Sequence, residues 1–173
     1  GALQVFVFFW DENYGGSDGE DKKEESAWGL ILSDKRVMLL GAVNALFEGS
    51  MYSFVFMWVP TLLGVLQGSP LPTGLVFAAL TVCISLGGLL FSPSLLLSLM
   101  SAEKIAVGIF LVGAASLTVP VWNSDLVSVL GSFCVFETCV GAFFPCAGLL
   151  RSKVIPDAQQ GSVMNIFRIP LNV

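Results

Sequence analysis

The chain has 173 residues, of which 55% are hydrophobic and only 12% are charged, and its mean hydropathy is +0.83. These values exclude an ordinary soluble domain and place the chain among all-α, polytopic membrane proteins. The net charge of −5 comes mostly from one acidic segment near the start, and we expect no nucleic-acid partner.

The first 36 residues are predicted to form two elements. Residues 1–10, GALQVFVFFW, are apolar and lack the basic residues that open a signal peptide, so we interpret them as the end of a transmembrane helix. Residues 11–36 are rich in acidic residues, Gly and Ser, and this composition predicts a flexible, solvated loop. We therefore expect the chain to be a fragment that begins inside a span.

Four apolar runs follow, and each reaches the length of about 20 residues that a helix needs to cross a bilayer. Ser33 and Asp34 are expected to supply the N-cap and the first-turn acid of the first run. Pro93 is expected to kink or end the second run. The four runs are Val37–Leu66, Thr73–Leu97, Lys104–Val121 and Leu126–Leu150.

The last residues, VMNIFRIPLNV, read as the start of one more span. Residues 37–173 are therefore predicted to form a truncated transmembrane helical domain. Paired glycines in its spans, including Gly64 with Gly68 and Gly87 with Gly88, are expected to mark close contacts between helices.

Lysine and arginine are confined to alternate connections between the predicted spans. They precede the first span, lie between the second and third, and follow the fourth, whereas the connections QGSPLP and WNSD contain none. The positive-inside rule assigns the basic connections to the cytoplasm. The loop at residues 11–36 is therefore predicted to be cytoplasmic, and the protein to be an integral, multi-pass membrane protein.

The residue types argue against an enzyme, a metal site or a bound cofactor. The sequence contains no His, which removes histidine-based metal sites and general bases, and no phosphate-binding glycine loop follows a strand pattern. The cysteines fall inside the predicted spans and are interpreted as reduced thiols that serve packing: Cys83, Cys134, Cys139 and Cys146.

Glu48 and Glu137 are the two carboxylates deep inside the spans. A charge at the bilayer centre costs about 2.5–3.5 kcal/mol on insertion scales, so such a group must be protonated, paired or turned toward water. Asn44, Glu48 and Tyr52 follow one another at intervals of four residues and form one polar stripe on a helix. The stripe predicts a wet pathway for a substrate or a coupling ion. The alternative is a neutral Glu48 whose hydrogen bond to another helix only locks packing.

Two further residues complete the predicted pathway. Glu137 lies among apolar neighbours, and packing and transport roles are equally compatible with its surroundings. Arg168, in NIFRIP, would either extend to the headgroups or attract an anion or a carboxylate. The segments ALFEGSMYSFVFMWVP and CVFETCVGAFFP, three spans apart, share a Phe-Glu pair, aromatic residues and a proline, as expected for repeated three-helix units.

Three strings resemble the molybdate-anion transporter family of the major facilitator superfamily, that is, relatives of major facilitator superfamily domain-containing protein 5. They are FFWDENYGG, LSDKRVMLLGAVNALFEGSMYSFVFMWVP and LLRSKVIPDAQQGSVMNIFRIPL. The resemblance implies the end of helix six, a central cytoplasmic loop, helices seven to ten and the start of helix eleven of a twelve-helix carrier. It also implies alternating access with a missing N-terminal half, uptake of molybdate, placement in the plasma membrane, and a cavity lined by helices seven and ten.

Two other functions remain open at this point. The chain would equally suit a carrier of a different small solute, since a fold does not determine a substrate. A non-transporting membrane protein with four spans, or an adaptor, would use the polar stripe to fasten helices together.

Overall fold

In the computed structural model, residues 26–91 and 100–168 are described, and they form helices joined by short connections. The side chains of Ala158 and Arg168 are outside this description. The helices are α1 (Lys35–Leu66), α2 (Thr73–Leu90), α3 (Ala102–Trp122), α4 (Leu126–Val154) and α5 (Gln160–Arg168), with a 3₁₀ turn at Asp157–Gln159 before α5.

Helices α1 to α4 are long and apolar enough to cross a membrane, which confirms the four predicted spans. Their bounds lie near the predicted ones, except that α2 ends at Leu90 rather than reaching Leu97. Phe91 closes it with a backbone N–H bond to the carbonyl of Gly87. Pro93, predicted to kink or end this span, falls in residues 92–99, outside the described ranges.

The start of α1 corrects one sequence-based expectation. The N-cap is Asp34, not Ser33: the Asp34 carboxylate accepts a bond of 2.8 Å from the backbone N–H of Arg36. The Ser33 hydroxyl donates instead to the Leu30 carbonyl, one turn back in the preceding helical segment. The reason is that residues 26–33 are themselves helical, so Ser33 ends one helix while Asp34 starts the next.

Residues 26–33 pack against the bundle, although they lie in the segment predicted to be a solvated loop. Ala27 and Ile31 are buried in a small apolar core with Val163 and Phe167 of α5. The Gln159 amide also donates to the Ser26 hydroxyl at 2.8 Å. Burial of these apolar side chains holds residues 26–33 against the bundle. The acidic composition of residues 11–36 as a whole gave no sign of this contact.

Helix α4 lies at the centre of the four spans. In an apolar 18-residue stretch of α4, 56% of residues are buried in protein, whereas the corresponding values are 11% for α1, 17% for α2 and 22% for α3. Aromatic rings join α4 to α1. Phe47 stacks on Phe143 with the ring centroids 3.9 Å apart, and Phe54 and Phe133 form a T-shaped pair with centroids 5.1 Å apart. The outer helices therefore leave most of their surface for lipid or for other protein.

Helices α2 and α4 approach each other closely at two glycines, Gly87 of α2 and Gly141 of α4. A Cβ atom at Gly87 would overlap the backbone carbonyl of Thr138, and one at Gly141 would overlap that of Ile84. The expectation that glycines mark close contacts is confirmed at this crossing. At Gly64 the described residues place no atom within 4 Å of such a Cβ, so there the expectation stays a prediction.

Candidate functional site

The polar stripe predicted on α1 starts at a buried amide. Asn44 is 2% exposed, and its Nδ2 donates to the Leu40 carbonyl of the same helix at 3.0 Å. Its Oδ1 is buried and has no hydrogen-bond partner among the described residues. An orphaned buried acceptor costs about 1–3 kcal/mol, so Asn44 is a residue that packing alone does not explain.

Exposure increases along the stripe from Asn44 toward Tyr52. Glu48 is half-buried, and Tyr52 is 58% exposed. Glu48 follows Phe47, whose ring faces α4, and is rotated about 100° from it around the helix. The carboxylate therefore lies beside the contact between α1 and α4 rather than inside it.

The same side of α1 is covered near its start by α5. Gly41 precedes Glu48 by two turns, and a side chain at Gly41 would overlap the ring of Phe167. Asn44 lies one turn after Gly41. The buried start of the stripe therefore lies near the surface of α1 that α5 covers. Its exposed part, at Tyr52, lies beyond that surface.

Glu137 lies on α4 and is only 9% exposed. It follows Phe136, which faces Phe54 of α1 at 5.0 Å, and precedes Thr138, which faces α2 at the glycine crossing. The carboxyl group therefore lies between the surfaces of α4 that contact α1 and α2. Within the described ranges no ion pair joins Glu137 to a basic residue.

Arg168 is the last described residue, at the end of α5. Its side chain is outside the described part of the structure, so its predicted role stays a prediction. The structure brings Asn44 and Glu48 onto one side of α1. It does not join them to Glu137 through a hydrogen bond among the described residues.

Two cavities that the sequence did not predict open between α1 and α3. The larger, about 590 Å³, is here called the basic groove; its lining includes Arg36, Leu39, Glu103, Val107, Phe110 and Lys153. The smaller, about 300 Å³, lies toward the other end of the helices, beside Ser53, Thr61 and Pro120. Neither cavity is lined by a residue of the polar stripe.

The basic groove brings together residues far apart in sequence. Arg36 at the start of α1, Glu103 at the start of α3 and Lys153 at the end of α4 line the same cavity. The Lys153 ammonium pairs with the Glu103 carboxylate at 3.0 Å. These helix ends therefore share one end of the bundle, as the alternation of basic connections predicted; it is called the basic end below.

Comparison with known proteins gives a consistent assignment. Residues 2–143 match the family model described as sugar transporters with 12 TM. The molybdate-anion transporter of Xenopus tropicalis is 32% identical over 179 aligned residues, which cover 99% of this chain and 38% of that protein. The molybdate-anion transporter of Takifugu rubripes is 36% identical over 150 residues, covering 83% of this chain and 30% of that protein.

The chain spans less than two fifths of the length of these relatives. No solved structure matches it. The family match covers most of the chain, and four membrane-capable helices agree with it. The chain therefore belongs to this twelve-helix transporter family of the major facilitator superfamily, the superfamily of the molybdate-anion transporters that it resembles.

Proposed function

We propose that this chain forms part of a secondary-active carrier that takes up molybdate by alternating access. The observation that carries the proposal is the alignment of 99% of the chain with a protein named molybdate-anion transporter. A partly buried polar stripe on a membrane-capable helix supports it, because polar groups within a membrane are costly and are typical of transport pathways.

In this proposal α1 to α4 are helices seven to ten of the carrier, and α5 begins helix eleven. Residues 1–10 end helix six, residues 11–36 belong to the central cytoplasmic loop, and residues 37–173 belong to the C-terminal domain. The basic end faces the cytoplasm, which the positive-inside rule supports. The second half of the cavity comes from an N-terminal domain, and the plasma membrane is the proposed location.

Glu48 and Glu137 are proposed to act in ion coupling or gating rather than in direct binding of molybdate. Two unit charges of the same sign at 4 Å repel by about 4 kcal/mol at an effective dielectric constant of 20, and molybdate carries two negative charges. An ionised Glu48 would therefore exclude the anion from its vicinity. Asn44 and Tyr52 would hydrogen-bond along the pathway, and Arg168 is the proposed cationic contact for the anion.

The test is uptake of molybdenum by cells that express the complete carrier with Glu48→Gln. We expect uptake to fall while the amount of carrier at the cell surface stays unchanged. Ser53→Ala is the matched control, because Ser53 is an exposed residue of the same helix whose hydroxyl donates to its own helix at Gly49. Normal uptake by the Glu48→Gln carrier would remove Glu48 from the mechanism.

A carrier for a neutral solute is the second candidate, and the description of the matching family as sugar transporters favours it. An amide, a carboxylate and a phenol on one helix suit hydrogen bonds to hydroxyl groups. Competition separates the two functions. Excess sulfate should suppress molybdenum uptake if the protein is an oxyanion carrier. Excess hexose should suppress the uptake of a labelled sugar if the protein is a sugar carrier. Uptake at background level with every solute would instead favour a non-transporting membrane protein.

A further inference from the structure

The basic groove combines an apolar wall with charged side chains at one end. Leu39 of α1 and Val107 of α3 line the wall, and both are well exposed. Arg36, Glu103 and Lys153 line the same cavity at the basic end of the bundle. The volume of about 590 Å³ lies within the range of about 300–1,000 Å³ typical of small-molecule sites.

Among the charged side chains that line the groove, two cations, Arg36 and Lys153, face one anion, Glu103. Lys153 pairs with Glu103, and both side chains are about half exposed, at 48% and 59%. The Arg36 guanidinium makes no ion pair with any described residue. One positive charge is therefore left over at the mouth. An exposed ion pair contributes little stability, so the Lys153 ammonium is also available to an incoming anion.

We propose that the basic groove binds an anionic phospholipid, with its phosphate between Arg36 and Lys153 and an acyl chain along Leu39, Val107 and Phe110. Basic pockets between transmembrane helices bind acidic headgroups for this reason: the cations neutralise the phosphate where the helices leave the hydrocarbon. A protein helix would satisfy the apolar wall, but it would also have to bring an acidic side chain to Arg36. A phospholipid supplies both parts in one molecule.

The test measures lipid retained by the full chain after purification in a non-ionic detergent. Phosphatidylserine, phosphatidylinositol 4-phosphate and phosphatidylcholine with identical acyl chains are added separately, and bound lipid is counted by native mass spectrometry. We expect the two anionic lipids to be retained in preference to phosphatidylcholine. Equal retention of all three lipids would overturn the proposal.

Charge variants at the groove give effects of opposite sign. Arg36→Gln should lower the retention of phosphatidylserine about fivefold, which is the effect of one cation near an anionic headgroup. Glu103→Gln should raise it, because the change removes a negative charge and releases Lys153. Lys104→Gln is the matched control: Lys104 lies at the same end of α3 but does not line the groove. Equal losses for Lys104→Gln and Arg36→Gln would show attraction by surface charge alone and overturn the site.

The apolar wall is tested by a photoreactive side chain at position 107 in native membranes. Crosslinking to phospholipid supports the proposal, whereas stoichiometric crosslinking to another protein segment shows that a helix fills the groove and overturns it. Val107→Trp, which fills the cavity without changing charge, should also reduce lipid retention. Thermal unfolding of each variant confirms that the bundle is intact before lipid is counted.

Discussion

The crossing of α2 and α4 depends on the absence of a side chain at Gly87. In Gly87→Ala the new Cβ would overlap the carbonyl oxygen of Thr138, which belongs to the backbone of α4 and cannot rotate away. The helices must therefore separate, and α4 also holds α1 and α3 in place. We expect Gly87→Ala to lower the free energy of unfolding by about 1–3 kcal/mol, the usual cost of overpacking.

Gly108→Ala on α3 is the matched control, because a Cβ atom at Gly108 would have no atom of the described residues within 4 Å. Alanine is favoured over glycine inside a helix by about 0.8–1.0 kcal/mol, so this variant should be slightly more stable than the parent. The two variants should then differ by about 2–4 kcal/mol.

The assay is thermal unfolding of the full chain and both variants in the same detergent. Each kcal/mol corresponds to about 2–4 °C in Tm for a domain of this size. The expected order of Tm is Gly108→Ala, parent, Gly87→Ala. Equal Tm values for the two variants would refute the close crossing of α2 and α4.

Two other predictions concern single polar groups. Asn44→Leu should leave the free energy of unfolding unchanged or raise it, since the change removes an orphaned buried acceptor. Molybdenum uptake by the complete carrier should fall in the same variant. A marked loss of stability with normal uptake would assign Asn44 to packing. The Asp125 carboxylate caps α4, and hydrogen bonds from the backbone N–H and the hydroxyl of Ser128 hold its pKa below the ordinary value of 3.8. Because the folded-state pKa is lowered, the cap stabilises α4 above pH 3.8 and this contribution is lost as the pH falls through the lowered pKa. The Tm difference between the parent and Asp125→Ala should therefore shrink below that pH, and a difference constant from pH 7 to pH 3 would contradict the assignment.

The sequence was a good guide wherever the property in question is local. Apolar runs of sufficient length predicted α1 to α4, because a bilayer-crossing helix satisfies its backbone hydrogen bonds within itself. A spacing of four residues likewise placed Asn44 and Glu48 on one side of α1. The error at Ser33 is also local: the residue is a good cap by type, but residues 26–33 are helical and Asp34 opens α1.

The glycines show where sequence reasoning fails. Gly64 and Gly87 both stand in apolar spans, yet of these two only Gly87 faces the backbone of another helix among the described residues. The difference depends on which side of each helix the neighbouring helix crosses, and this is set by packing between segments distant in sequence. The basic groove could not be predicted from the sequence for the same reason: its charged lining residues, Arg36, Glu103 and Lys153, come from three helices.

Composition, hydropathy and the distribution of basic residues by themselves determined a polytopic helical membrane protein with four spans. These features are sums over neighbouring residues, and the bilayer acts on each span separately. The tertiary structure alone decided that α4 is central, that Asn44 is buried with no described partner for its side-chain oxygen, and that Tyr52 is exposed. Burial depends on which other helices cover a given face, and the periodicity of a single helix carries no information about them.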